Sequence, residues 1–227
     1  KLVVVPEQTR LSAELTQALE QFARSGGHVI LSGAHLSVES PELVGARPAA
    51  VTTPPDAPRP ATYLQVGDEA VGVSGDWQPV LPDSQAGVLA YRLKQQEPEK
   101  DTTDEVIITS RPVGEGSIVA IHGPIFRSYF QGHYPLLRRL IARLVDGLGI
   151  DWLVEVDGPA RLEMVLRRKG DKLVVNLVNR GAGEMLMPRR VINEELLPIE
   201  DVKLTVRLDR VPTSVTAVPD ADLEWDY

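Results

Sequence analysis

The first 31 residues set a strand, a helix and a second strand in immediate succession, an order that few folds accept. Val3-Val4-Val5 is continuously apolar, as in a strand covered on both faces, and Pro6 ends it. Ser12 is placed to cap a helix, with Glu14 in its first turn. Leu15, Ala18, Leu19 and Phe22 then recur at the spacing of one helical stripe. Gly26-Gly27 stops the helix, and His28-Val-Ile-Leu31 follows as the next strand. A strand–helix–strand unit of this length joins parallel strands through a right-handed crossover.

The rest of the chain divides by period. Residues 46–62 hold five prolines and read as a long extended surface loop. Short strands are expected around Tyr63–Val66, Ala70–Val73 and Val88–Leu93, with an exposed polar excursion over 95–105. Val106–Thr109 and Ser117–Ile121 flank a glycine-bearing turn and read as a hairpin. Pro135 suits the first turn of a helix carrying Leu136, Leu137, Leu140, Ile141 and Leu144. From Asp151 the period changes to two. Leu162, Met164 and Leu166 alternate with Arg161, Glu163 and Arg167, and Val202, Leu204, Val206 and Leu208 alternate with Lys203, Thr205 and Arg207. Val215–Val218 and Leu223–Tyr227 are two further strand candidates, and 181–200 reads as an irregular connection. The expectation is an α/β domain over 1–150 and a small antiparallel β-sandwich over 151–227.

Charge and composition remove several functions. The net charge is −8, with 13 basic and 17 acidic residues in 1–150 and 11 and 15 in 151–227. Neither part concentrates the positive charge that nucleic acid demands. No apolar run approaches the roughly 20 residues of a membrane-spanning helix. Cysteine is absent, which excludes disulfides, thiolate metal sites and a cysteine nucleophile. The four histidines show no metal-binding spacing, and the G-x-G pairs at Gly114 and Gly181 lack the rest of a phosphate-binding motif. No metal and no cofactor is expected.

Three groups of residues invite a functional reading. Ser32, with His35 nearby or His122 further on, follows a strand at the sheet edge where α/β proteins bind ligands, and a Ser/His hydrolase is one alternative. The nucleophile elbow needs a G-x-S-x-G frame that the flanks of Ser32 do not supply, so a turn is the preferred reading. Phe126, Arg127, Tyr129, Phe130 and Tyr134 fall within a loop between a strand and a helix, and their types are those enriched at protein interfaces. Trp77, Trp152 and Trp225 suggest a carbohydrate-binding module as a second alternative, although their wide spacing favours single core tryptophans.

Leu2–Leu15, Phe22–Leu31 and Ser40–Gly45 together resemble the glutamine-amidotransferase-like domain of family-42 glycoside hydrolases, where it is called the beta-galactosidase trimerisation domain. Lys172–Asn179, Asp201–Leu208 and Pro212–Pro219 are similar to the small β-domain that closes those proteins. The resemblance implies a flavodoxin-like, class I glutamine amidotransferase-like sheet, mostly parallel, with helices on both faces. It also implies that the chain is a piece of a longer glycoside hydrolase. Its partners would be a catalytic barrel upstream in the same polypeptide and further copies of itself, with carbohydrate as a possible ligand. In that family the domain lacks its cysteine nucleophile and serves assembly, so no enzymatic activity is expected of this chain by itself.

Overall fold

The computed structural model describes residues 1–7, 10–50, 61–94, 102–181, 197–219 and 223–227. They form two compact units, Lys1–Ile150 and Asp151–Tyr227. The first unit opens with β1 (Leu2–Val5), α1 (Ala13–Arg24) and β2 (His28–Ser32). Ser12 caps α1 by accepting the Leu15 N–H on its Oγ at 3.2 Å. Gly26 then takes φ +87°, a left-handed conformation that costs glycine little. Two short helices, α2 (Leu36–Glu39) and α3 (Pro41–Val44), lead into β3 (Ala46–Pro48), so the expected loop over 46–62 begins as a strand. Residues 51–60, which hold most of its prolines, lie outside the described residues.

Next come β4 (Thr62–Val66), β5 (Glu69–Val73), β6 (Val80–Pro82), β7 (Gly87–Leu93), β8 (Thr102–Val113) and β9 (Gly116–Ile121). The helices α4 (Ile125–Gly132) and α5 (Pro135–Asp146) complete the unit. The sheet runs β1-β2-β9-β8-β7-β4-β5, with β6 joined to β8 and β3 to β6. Among the described residues only β1–β2 and β2–β9 pair in parallel, and the other pairings are antiparallel. The expectation of a mostly parallel sheet is therefore corrected to a mixed one. Parallel neighbours need a long crossover, whereas β4–β5 and β8–β9 turn back through Gly67-Asp68 and Gly114-Glu115, which permit only antiparallel pairing.

Helices do cover both faces. On one side Val5, Val29, Leu31, Ile118 and Ala120 pack with Leu19 and Ala23 of α1 and with Leu36, Leu43 and Val44 of the short helices. On the other, Ile30, Val119, Ile121 and Ile108 meet Ile125 of α4 and Leu136, Leu137 and Leu140 of α5. Alternation along β2 and β9 thus feeds two cores at once, which explains their uninterrupted apolar sequences. Burying each such aliphatic side chain contributes about 1.5–3 kcal/mol.

The described residues of the second unit form two antiparallel pairs. β10 (Val154–Asp157) lies beside β13 (Lys203–Val206), and β11 (Leu162–Lys169) beside β12 (Lys172–Asn179). Gly170 at φ +61° makes the β11–β12 turn. Val215–Val218 and Leu223–Tyr227, read as strands from their composition, form no ladder; an apolar run becomes a strand only where a neighbour accepts its hydrogen bonds. Most of the connection expected over 181–200 lies outside the described residues.

Candidate functional site

The carboxyl ends of β2 and β9 lie side by side, where open α/β sheets place their ligands. Ser32 stands in register with Ile121. Its hydroxyl donates to the Gly123 carbonyl at 2.6 Å, and the Gly33 N–H donates to the Ile121 carbonyl at 2.9 Å. Neighbouring parallel residues share a face, and successive ones alternate, so His122 leaves the sheet on the side opposite Ser32. There its Nε2 shares a hydrogen bond of 3.2 Å with Thr109 Oγ1, which belongs to the face of Ala120.

His122 is wholly buried, and burial pushes its imidazole from the ordinary 6.5 down to about 4. At neutral pH it is uncharged, with Nδ1 lacking a hydrogen-bond partner. His35 begins α2, and its ring lies against Gly33: a Cβ on that glycine would stand 2.5 Å from the ring Cε1. Gly33 also has φ +148°, so two constraints converge on glycine there. Among the described residues no hydrogen bond joins Ser32 to either histidine. The serine proton is committed to a backbone carbonyl, and no base is positioned to take it.

The same edge is covered. The Trp77 indole lies directly on Gly123, where a Cβ would come within 2.2 Å of the ring. Gln78 donates its backbone N–H to the His122 carbonyl at 2.9 Å and its side-chain amide to the Pro79 and Ala49 carbonyls. Trp77 is thus a buried residue of the sheet edge and presents no flat surface to a sugar. The sequence favours a core position for Trp77 but carries no signal for its partner Gly123, which is remote in the chain.

Phe126, Arg127, Tyr129 and Phe130 lie on helix α4 and not on a loop, while Tyr134 lies beyond it as the N-cap of α5. α4 turns Phe126 and Tyr129 into the second core, half-buried, while Phe130 is 74% and Tyr134 49% exposed. The exposed Arg127 uses its backbone N–H to reach the Glu7 carboxylate. His133 ends the helix at φ +48°, with Tyr129 edge-on to its ring at 5.6 Å and Phe130 at 6.3 Å. The five interface candidates therefore divide: Phe126 and Tyr129 serve packing, while Arg127, Phe130 and Tyr134 are exposed.

One further depression, of about 330 Å³, is bounded by Pro41, Glu42, Ala46, Arg47, Leu81 and Asp83. It is open and of mixed charge, and the β3–β6 pairing that builds it had no signature in the sequence. Among the described residues no group of three His, Asp or Glu side chains could hold a metal, and no helix is long and apolar enough to cross a membrane.

No protein-family model matches the chain, and no curated protein matches its sequence. Solved structures share its fold. Alpha-L-fucosidase isoenzyme 2 from Paenibacillus thiaminolyticus matches 92% of this chain at 17% identity with a TM-score of 0.68. Gan42B, a GH42 beta-galactosidase from G. stearothermophilus, matches 91% at 15% identity and 0.56. The beta-galactosidase from Bacillus circulans sp. alkalophilus matches 80% at 15% identity and 0.55. This chain spans 34%, 32% and 27% of those chains, respectively. What they share with it is the α/β arrangement of a mixed sheet with a few helices.

Proposed function

We propose that this chain is a non-catalytic accessory region of a larger glycoside-hydrolase-like protein, serving assembly or the shaping of a substrate cleft. Residues 1–150 would be an amidotransferase-like domain of flavodoxin-like descent, of the trimerisation type, and 151–227 a small β-sandwich. The observation that carries this reading is the fold likeness to a GH42 beta-galactosidase over 91% of the chain, within only 32% of the longer protein. The chemistry of the carboxyl edge supports it. Cysteine is absent, the Ser32 proton is held by a carbonyl, and Trp77 covers the strand ends. The partners would be a catalytic barrel in the same polypeptide and further copies of this chain, meeting through the surface of Phe130 and Tyr134.

The test is a hydrolysis screen of the chain by itself against nitrophenyl glycosides, nitrophenyl esters and glutamine. The expected result is no turnover above the buffer rate. Turnover that disappears in Ser32→Ala would replace this reading with the hydrolase one.

A further inference from the structure

We propose that the carboxyl edge of β2 and β9 is a proton-operated latch, in which protonation of the His122 imidazole loosens the strand ends and frees the Trp77 cover. Four contacts meet at His122-Gly123: the Thr109 hydroxyl on the imidazole, the Ser32 hydroxyl on the Gly123 carbonyl, the Gln78 N–H on the His122 carbonyl, and the Trp77 indole on the Gly123 backbone. Anything that displaces His122 therefore acts on the cover directly.

The imidazole has no place for a charge. On the side of the ring β8 presents Thr109, and the Ile107 carbonyl already accepts the His122 N–H; β2 ends in Ser32 and Gly33, with the Ser32 side chain on the opposite side of the sheet; the segment after β5 brings Asp76, Trp77 and Gln78, of which Gln78 is bonded to the His122 carbonyl. The ring's hydrogen-bonded side chain, Thr109, is neutral; Asp76 is exposed, and the other imidazole at this edge, His35, is held against Gly33. Burial is the sole cause of the lowered pKa. In the neutral ring Thr109 satisfies Nε2 and Nδ1 stays bare. Protonation makes both nitrogens donors, so the ring must keep an unpaired buried N–H or move out to water.

The sign follows from linkage. The unfolded imidazole takes its proton at about 6.5 and the folded one at about 4. Between those values the unfolded chain binds more protons, so stability rises with pH and is lost as pH falls. The penalty starts below pH 6.5 and is complete below about 4. Between pH 7.5 and pH 5 the unfolding constant of the first unit should rise about thirtyfold from this group alone.

Trp77 is the only tryptophan in residues 1–150, so Trp152→Phe with Trp225→Phe turns the full chain into a single-reporter protein. In that background Trp77 emission should move to the red as pH falls through about 4, where the folded ring takes its proton. Urea unfolding at pH 7.5 and pH 5 should show a rise in the unfolding constant, and His122→Gln should reduce that rise by about thirtyfold. An unchanged pH dependence in His122→Gln overturns the latch. If that variant does not fold, the wild-type imidazole resonance decides: a His122 ring still neutral at pH 5.5 supports the proposal, and one that titrates near 6.5 in the folded chain overturns it.

Discussion

Residues 1–150 and 151–227 both alternate apolar and polar side chains, yet they use that alternation differently. In the first unit the apolar positions meet helices on both faces, and residues such as Ile30, Leu31, Ile118 and Ile121 lose essentially all contact with water. In the second, Met164 stands opposite Leu177 and Leu166 opposite Val175, but none of these four is buried. Among the described residues of that unit, Val154 is the one large aliphatic side chain in the buried class. Pattern sets which side of a strand is apolar; whether that side becomes a core depends on what lies over it. The stability of the described chain therefore resides mainly in the first unit.

The largest expected effect tests that contrast with matched substitutions. Leu140→Ala, on α5 where the leucine is 6% exposed, should cost about 2–5 kcal/mol by urea unfolding. Leu177→Ala, on β12 where the leucine is 38% exposed, should cost less than about 1 kcal/mol, because the side chain already meets water in part and its removal leaves no enclosed cavity. Comparable losses at the two sites would erase the distinction. A smaller effect is expected at the covered edge. Gly123→Ala drives a methyl group into the Trp77 ring and should cost about 1–3 kcal/mol, accompanied by a change in Trp77 emission. Wild-type stability and emission in that variant would mean that the indole does not sit on the glycine. Smallest is the helix cap: Ser12→Ala should lower thermal stability by about 1 kcal/mol, and Ser12→Asp should restore it. A restored cap with no recovery would move the role of Ser12 away from capping.

The parts of this fold that the sequence disclosed are those in which local chemistry and long-range packing agree. Ser12, the stripe from Leu15 to Phe22 and Gly26 define α1 without reference to any other element, and Pro135 with its leucines does the same for α5. Strand direction lies beyond such signals. β8 carries the apolar run Val106-Ile-Ile108 and β2 the run Val29-Ile-Leu31, yet one strand pairs with β9 in antiparallel fashion and the other in parallel, because the connections differ. α4 was hidden by its composition. Ile125-Phe-Arg-Ser-Tyr-Phe130 has weak helix formers and no side-chain cap, and tertiary burial of Ile125 and Phe126 overrides that weakness. At the edge of β2 and β9, Ser32 and His122 were legible as residue types. Their separation was not, since the side from which each leaves depends on register with Ile121 and Thr109. Only pairing partners fix a register, and a single sequence does not state them.

Assembly is the central claim, and Phe130 with Tyr134 is where it can be tested most directly. Two exposed aromatics at the junction of α4 and α5 are a natural anchor for a protein contact, and removing such anchors weakens association by about 2 kcal/mol or more. The decisive measurement is the solution mass by light scattering across a wide concentration range, for the wild-type chain and for Phe130→Ala with Tyr134→Ala. The account predicts a concentration-dependent oligomer in the first that dissociates in the second, while both keep the same far-UV spectrum. A wild-type chain that stays monomeric at every concentration, or an oligomer indifferent to both substitutions, would contradict it.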